Sequence, residues 1–306
     1  TSQERRNDMK HLFLINPAAG SRDRTLECSS AIVKACRGLD YRVEISQNPG
    51  DCEKLSREAA RSGEEYRIYA CGGDGTLNEV ASGAAGYPNA AVTVWAGGSG
   101  NDFVRIFSEP KAFQQLERLL DAEETAFDMI RCNDALALNI CSVGLDARVG
   151  TDVANYKRIP LLQGFWAYAA SAVVNVVRGV SQPLHVELCG EAVDKEMTMV
   201  CVCNGRYYGG GFYAVPEADP QDGLLDVLVV DKVTRRQVPG LIGKYKAGRY
   251  KELPHLITHY RTRELTIHSP TPTAVNLDGE LRMETDIHMS VALEKLRFFY
   301  PKGLSW

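Results

Sequence analysis

No sign of charge dominates this 306-residue chain: 35 Lys and Arg stand against 39 Asp and Glu, a formal net charge of -4. A general nucleic-acid binder is therefore not indicated, because such domains are strongly basic. The nine cysteines include no CxxC pair, and Cys201 and Cys203 fall on one face of an expected strand. That spacing excludes a zinc-ribbon or disulfide framework and fits a reducing cytoplasm. No uninterrupted apolar run reaches spanning length. The nearest, "IPLLQGFWAYAASAVVNVV" at 159–177, is broken by Pro160, Gln163, Gly164 and Asn175, so a buried helix is expected there. The opening "TSQERRNDMKHLFLIN" carries no apolar stretch followed by a small-residue cleavage site, so secretion is not indicated. Its first eight polar residues are read as a tail ahead of Met9. Internal repeats, low-complexity tracts and long linkers are also lacking.

What is present changes character near Phe127. Before it, strand-like runs ("HLFLIN", "YRVEIS", "YRIYAC", "AAVTVWA") alternate with helix-like segments at 22–39, at 51–61 and from about Thr76. Such alternation predicts a doubly wound, mostly parallel sheet with helices on both faces. Ligands of these sheets bind beyond the carboxyl ends of the strands. After Phe127, short alternating runs such as "LHVELCG", "MTMVCVCNG", "LLDVLVV" and "ELTIHS" are parted by turn residues, which predicts a β-sandwich or barrel. "VPGLIGKYKAG" reads as a helix, and the closing "KLRFFYP" fits a strand of either domain.

Three glycine-bearing loops fall at expected strand ends: "NPAAG" (16–20), "GGDGT" (72–76) and "GGSGND" (97–102). Each alone reads as a tight connection; together they point to a phosphate site. None is a Walker A loop or a GxGxxG fingerprint. Asp74 poses a conflict, since the amides opening the next helix attract an anion that its carboxylate repels. A cation between them removes the conflict. Asn16, the "NPAAG" amides and the Thr76 hydroxyl suit phosphate oxygens, while Asp74 and Asp102 suit Mg²⁺, which takes few carboxylates and keeps its waters. A helix N-cap is the alternative for Asp102.

"GGDGTLNEV" with "GGSGNDFVR" resembles the diacylglycerol kinase catalytic domain family, particularly its soluble bacterial lipid kinases. "GGDGT" is shared with NAD kinases and, in related form, phosphofructokinases; "GNDF" is more specific. "NPAAG", "NGRYYGGGF" (204–212), "PEADPQDGLLDV" (216–227) and "NLDGE" (276–280) extend the likeness from about Met9 to Trp306. The resemblance implies an α/β nucleotide-binding domain, NAD kinase/phosphofructokinase-like, over 1–127 with a returning segment at 294–306. It implies a β-sandwich lipid-substrate domain over 128–293, and a cleft between the two. It assigns ATP contacts to Asn16, Pro17, Ala18, Ala19, Gly20, Ser46, Gly73, Asp74, Gly75, Thr76, Leu77, Asn78, Glu79 and Ser99, with Ser46 and Ser99 standing where the family usually has Thr. "DPQDGLL" matches a structural Mg²⁺ site using the Asp222 carboxylate and the carbonyls of Asp219 and Leu224; a plain turn is the alternative. A carboxylate of "NLDGE" is implied as catalytic base, Glu280 before Asp278, with a hairpin turn as the alternative.

The expected activity is an ATP- and Mg²⁺-dependent lipid kinase, with Asp74 and Asp102 on the catalytic metal. Its acceptor is a lipid hydroxyl taken from a membrane surface, diacylglycerol by resemblance, giving phosphatidic acid in phospholipid metabolism. An NAD kinase-like enzyme and a non-catalytic nucleotide-binding regulator are the rival readings. Lys244, Lys246, Arg249 and Lys251, interleaved with Tyr245 and Tyr250, form either a solvated helix face or a contact with anionic headgroups at the inner face of the membrane. His255 and His259 lack the "HExxH" context and are read as incidental. The bacterial relatives suggest a cytoplasmic homodimer.

Overall fold

The computed structural model describes residues 9–20, 22–97, 100–145, 181–234 and 236–306. The proposed tail at 1–8, the proposed ATP contact Ser99 and the apolar run at 159–177 lie outside the described residues. The chain divides into two compact units, 1–127 with 293–306, and 128–292.

Unit 1 opens with β1 (Lys10–Ile15), α1 (Thr25–Ala35), β2 (Asp40–Ile45), α2 (Asp51–Arg61), β3 (Tyr66–Gly72), α3 (Asp74–Ala84) and β4 (Ala90–Ala96). Two 3-10 turns, α4 (Leu116–Leu120) and β5 (Ala122–Phe127) follow, and the C-terminal strand Leu296–Pro301 returns from the far end of the chain. The sheet order is β2-β1-β3-β4, then the C-terminal strand, then β5. The first four strands are parallel; the C-terminal strand runs parallel to β4 and antiparallel to β5. Because β1 sends the chain outward to β2 while β3 sends it the other way to β4, the order reverses between β1 and β3. In sheets of this kind that is where ligands bind.

Helix α1 is shorter than its apolar period predicts. Asp23 Oδ1 accepts the Thr25 N–H at 2.8 Å before its first turn. Beyond its end the chain turns through Gly38 in the left-handed region, φ +81°, which stops further propagation. Helix α3 starts earlier than Thr76, because Leu77 N–H already bonds the Gly73 carbonyl at 3.0 Å. Asp74 therefore stands in a helical first turn rather than in an open loop. Helices α2 and α3 touch closely: the Ser56 hydroxyl donates to the Val80 carbonyl at 2.7 Å. A Cβ on Gly83 would run into the Glu53 carbonyl and stand 2.8 Å from the Ser56 Cβ. The C-terminal strand adds Phe298 and Phe299, both fully buried. Phe298 packs edge-on against Phe103 with centroids 5.5 Å apart.

Unit 2 holds β6 (Ile130–Cys132), β7 (Ala135–Ala137), β8 (Ile140–Gly144), β9 (Gln182–Leu188), β10 (Glu191–Cys203), β11 (Tyr207–Tyr208), β12 (Phe212–Tyr213), β13 (Leu225–Asp231), α5 (Val238–Lys246), β14 (Ile257–Thr262), β15 (Glu264–Leu277) and β16 (Glu280–Val291). Strands β8 and β9 lie end to end between the long strands β10 and β15, each pairing antiparallel with both. Register shifts at Met197/Met199 and His268/Thr273 interrupt the long strands between those two halves; such irregularities let a strand bend. The sheet thereby wraps on itself around one core that joins Val143, Val186, Val200, Val227, Ile267, Val275 and Ile287. Burial of each such side chain contributes about 1.5–3 kcal/mol relative to exposure. On the opposite face Cys201, Cys203, Phe212, Tyr245 and Tyr250 form a second core under α5.

Candidate active site

The parallel register aligns the strand ends of unit 1. Ile15 stands opposite both Ile45 and Cys71, and Gly72 opposite Ala96. The residues that follow, Asn16, Ser46, Gly73 and Gly97, thus leave the sheet side by side. The ladder runs on into the loops, with Asn16 N–H on the Cys71 carbonyl at 3.2 Å and Gly97 N–H on the Gly72 carbonyl at 2.8 Å. Asn16 ties two of the loops together: its Nδ2 donates to Thr76 Oγ1 at 3.1 Å, and its Oδ1 accepts the Ala18 N–H at 3.0 Å. Pro17, Ala18 and Ala19 form the turn that follows, ending at Gly20 with φ +84°. A Cβ on Gly20 would lie 3.2 Å from the Gly97 carbonyl, so the first and third loops meet there. Gly72 is equally constrained, since any Cβ would collide with Thr76 Oγ1.

Helix α3 offers its first turn unevenly. Gly75 is exposed, Asp74 and Glu79 are half-buried, and Thr76 and Asn78 are buried. Leu77 is a core side chain whose N–H is already bonded to Gly73. Ser46 bonds its N–H to the Ile15 carbonyl at 2.9 Å, and its hydroxyl reaches the Cys52 thiol, which burial pushes up to about 11.

The acidic residues converge. Asp74 Oδ1 accepts the N–H of Asp102 at 2.6 Å and that of Phe103 at 3.3 Å. Its Oδ2 lies 2.6 Å from where a Cβ on Gly100 would stand, and Asp102 Oδ2 lies 3.5 Å from the same point. Burial pushes the Asp74 carboxyl above its ordinary range, opposed by the amides of residues 101–103 and by Arg105. Asp102, itself buried, makes no side-chain cap to the 3-10 turn it precedes. It pairs instead with Arg105 Nε at 3.1 Å, while Arg105 Nη2 holds the Gly100 carbonyl at 3.1 Å. The carboxylates of Asp74 and Asp102 thus meet beside Gly100, a donor pair that suits a hard divalent cation. Among the described residues no group of three or more His, Cys, Asp or Glu gathers as a metal cluster, so waters and phosphate oxygens would complete the coordination.

Sequence reasoning passed over two residues here, Arg105 and Arg24. Arg24 Nη1 stands 2.6 Å from the Cβ position of Gly97, and its Nη2 bonds Glu27 Oε1 at 2.7 Å. Arg24 has neither periodic nor motif context, and Arg105 closes "GGSGNDFVR" without a spacing that marks its role; only the alignment of strand ends brings them in.

In unit 2, "NLDGE" forms the β15–β16 hairpin. Leu277 pairs with Glu280 across a two-residue turn in which Asp278 has φ +48° and Gly279 φ +100°, the Asp-Gly turn favoured by strand twist. Asp278 is tightly engaged: Oδ2 accepts the N–H of Leu138 at 2.7 Å and of Asn139 at 2.8 Å, and Oδ1 that of Ile140 at 2.7 Å. Glu280 is exposed and meets Arg282 Nε at 3.4 Å.

The turn at 219–224 is closed by its own amides and by an arginine. Asp219 Oδ1 accepts the Gln221 N–H at 3.0 Å, and Asp222 Oδ1 the Leu224 N–H at 2.9 Å. Asp222 Oδ2 is paired with Arg261. Burial pushes the Asp222 carboxyl up, opposed by the Leu224 amide and Arg261. Arg261 thus faces the Asp222 carboxylate much as Arg105 faces that of Asp102.

The basic segment is paired within unit 2. Lys244 and Arg249 meet Glu252 at 3.4 and 2.5 Å, Lys251 meets Glu217, and Lys246 lies 5.6 Å from the Phe212 ring centroid. Tyr245 and Tyr250 belong to the core. His255 sits in a turn and His259 on β14, where its Nε2 meets the buried Asp226 at 2.6 Å. No helix among the described residues is long and apolar enough to cross a membrane.

Two family profiles match the chain: the diacylglycerol kinase catalytic domain over residues 10–132, and the YegS C-terminal NAD kinase beta sandwich-like domain over 139–300. A protein of Staphylococcus epidermidis named "Putative lipid kinase" is 26% identical over 271 residues, covering 87% of each chain. One of Staphylococcus carnosus with the same name is 24% identical over 267 residues, covering 85% of this chain and 86% of its own. The crystal structure of a "putative diacylglycerol kinase" from Bacillus anthracis superposes with a TM-score of 0.75 at 22% identity, covering 96% of this chain and 97% of that one. That likeness carries the fold.

Proposed function

This chain belongs to the diacylglycerol kinase catalytic domain family, and from that premise we propose that it is an ATP- and Mg²⁺-dependent lipid kinase. It moves the γ-phosphoryl group of ATP to a lipid hydroxyl, diacylglycerol being the acceptor that gives phosphatidic acid. The observation that carries the reading is the meeting of the Asp74 and Asp102 carboxylates at Gly100, in the loops that follow β3 and β4. Phosphoryl transfer asks mainly for alignment and for neutralisation of phosphate charge. Bound with the nucleotide, Mg²⁺ would supply that neutralisation, and Asp74 and Asp102 would hold it.

The remaining work falls to this chain's own groups. Asn16 fixes the first loop against Thr76, so backbone N–H groups of "NPAAG" and of the α3 first turn are set in place before a ligand arrives. The acceptor hydroxyl is far too weak an acid to ionise at neutral pH, and a positioned base contributes about 10²–10⁴-fold. We assign that role to Glu280, whose carboxylate is exposed. Asp278 is already engaged by the backbone amides of residues 138–140.

The test is incubation with labelled ATP and Mg²⁺, with a total lipid extract and NAD both offered as acceptors, followed by identification of the labelled product. Label in a phospholipid, lost in Asp74→Asn, is expected. Label transferred to NAD instead would replace the lipid reading, and ATP binding without transfer to any acceptor would point to a regulator.

A further inference from the structure

The loop after β4 carries opposite charges at its two ends. At Gly100 it faces the carboxylates of Asp74 and Asp102, and three residues earlier, at Gly97, it faces the guanidinium of Arg24. Arg24 immediately precedes α1, and Glu27 in the first turn of that helix holds it, Nη2 on Oε1 at 2.7 Å and Nε on Oε2 at 3.4 Å. Its other terminal nitrogen, Nη1, lies over Gly97 at 2.6 Å from the Cβ position, which no residue other than glycine leaves open. Gly20 reaches the Gly97 carbonyl from the first loop, and Gly97 N–H continues the ladder from Gly72, next to the opening of α3. The arginine thus stands where all three glycine loops come together.

A polyphosphate with its cation needs two kinds of neighbour: acids for the metal, and a fixed positive charge for oxygens the metal does not reach. Arginine suits the second task because its planar fork donates several hydrogen bonds and stays charged. We propose that Arg24 is a phosphate-contacting residue of the donor site, held by Glu27 until a phosphate takes over part of its hydrogen bonding. The proposal rests on the nucleotide reading above and adds to it a residue that sets how strongly the site distinguishes a polyphosphate from the bare nucleoside.

Calorimetric titration of the whole chain with ATP and with adenosine, both in Mg²⁺, tests it. In Arg24→Gln, ATP affinity is expected to fall about 10- to 100-fold, the range for a lost charge-assisted hydrogen bond, with adenosine affinity unchanged. Arg24→Lys should recover part of the loss, and Glu27→Gln should bind ATP at least as tightly as the unaltered chain. Thermal melts establish that each variant is folded. An equal loss for ATP and adenosine in Arg24→Gln would make the residue structural and overturn the proposal, as would unchanged ATP affinity. If the unaltered chain binds neither ligand, the nucleotide reading itself falls, a result distinct from an indifferent Arg24.

Discussion

The same dipeptide, Asp-Gly, occurs at two places that resemble each other in sequence and differ in use. In "GGDGT", Asp74 opens a helix, spends Oδ1 on the amides of Asp102 and Phe103, and turns Oδ2 toward the space beside Gly100. In "NLDGE", Asp278 occupies the first position of a hairpin turn and uses both oxygens on the amides of residues 138–140. Each carboxylate accepts three amides, but Asp74 has a second acid, Asp102, beside it at Gly100, whereas Asp278 fastens the end of β15 to the start of β8. Backbone geometry makes the difference. Asp74 has helical neighbours and meets a loop from a parallel strand. Asp278 is left-handed in a tight turn that points it back at its own sheet. The lesson is that an acid in a glycine-flanked motif is read by what surrounds it: a second carboxylate beside Asp74, and a hairpin with its own sheet around Asp278.

The comparison breaks first at Glu280, the residue after the second Asp-Gly. Glu280→Gln should lower kcat about 10²–10⁴-fold with the melting temperature and ATP affinity unchanged, because the side chain is exposed and meets Arg282 only at 3.4 Å. Steady-state kinetics beside a thermal melt checks this. Normal turnover would remove Glu280 from the role and reopen Asp278.

Asp74→Asn should lower turnover about 10²–10³-fold, the scale for losing one preorganised electrostatic group. Asparagine retains a carbonyl oxygen for the 102 and 103 amides, so the fold should hold. A Mg²⁺ titration at fixed ATP should show the loss as a higher metal requirement. Asp278→Asn should do the reverse. Asparagine keeps one oxygen for two of the three amides and sets an NH₂ group against the third, so the loss of one hydrogen bond to a charged group should cost about 1.5–3 kcal/mol of stability in urea unfolding. The activity of the molecules still folded should stay near normal. A large activity loss without a stability loss would assign Asp278 to the chemistry.

Much of this contrast could be read before any coordinates. The strand-helix alternation, the span of α2, the all-β character after Phe127 and the three loops at strand ends follow from local pattern, because burial on a period of 2 or 3.6 is local. The Asp-Gly hairpin was legible as an alternative, since that turn type demands positive φ at both positions. The parallel register that sets Asn16, Gly73 and Gly97 abreast was not, because it is fixed between strands far apart in sequence. Arg24 consequently carried no signal, and Arg105, though inside "GGSGNDFVR", gave none of its contacts to Asp102 and Gly100. The end-to-end placement of β8 and β9 was likewise hidden: each reads as a separate short strand, and only joint pairing with β10 and β15 makes them one line.

The smallest expected effect concerns the sheet beneath Asp74 rather than either Asp-Gly turn. His11 on β1 is 5% exposed, and its Nδ1 meets the Tyr69 hydroxyl at 2.9 Å. Burial, then the charge of Arg67, lowers its pKa from 6.5 to about 4. Between those values the unfolded chain binds a proton that the folded chain refuses. Stability from this group is therefore present above pH 6.5 and declines as pH falls toward 4. At 1.36 kcal/mol per pKa unit the decline is about 1 kcal/mol by pH 5.5 and about 3 kcal/mol once pH reaches 4. In His11→Gln the slope of unfolding free energy against pH over this window should fall by about one proton, as urea titrations at several pH values would show. An unchanged slope would mean that His11 titrates alike in both states, and that acid reaches the sheet of unit 1 by another group.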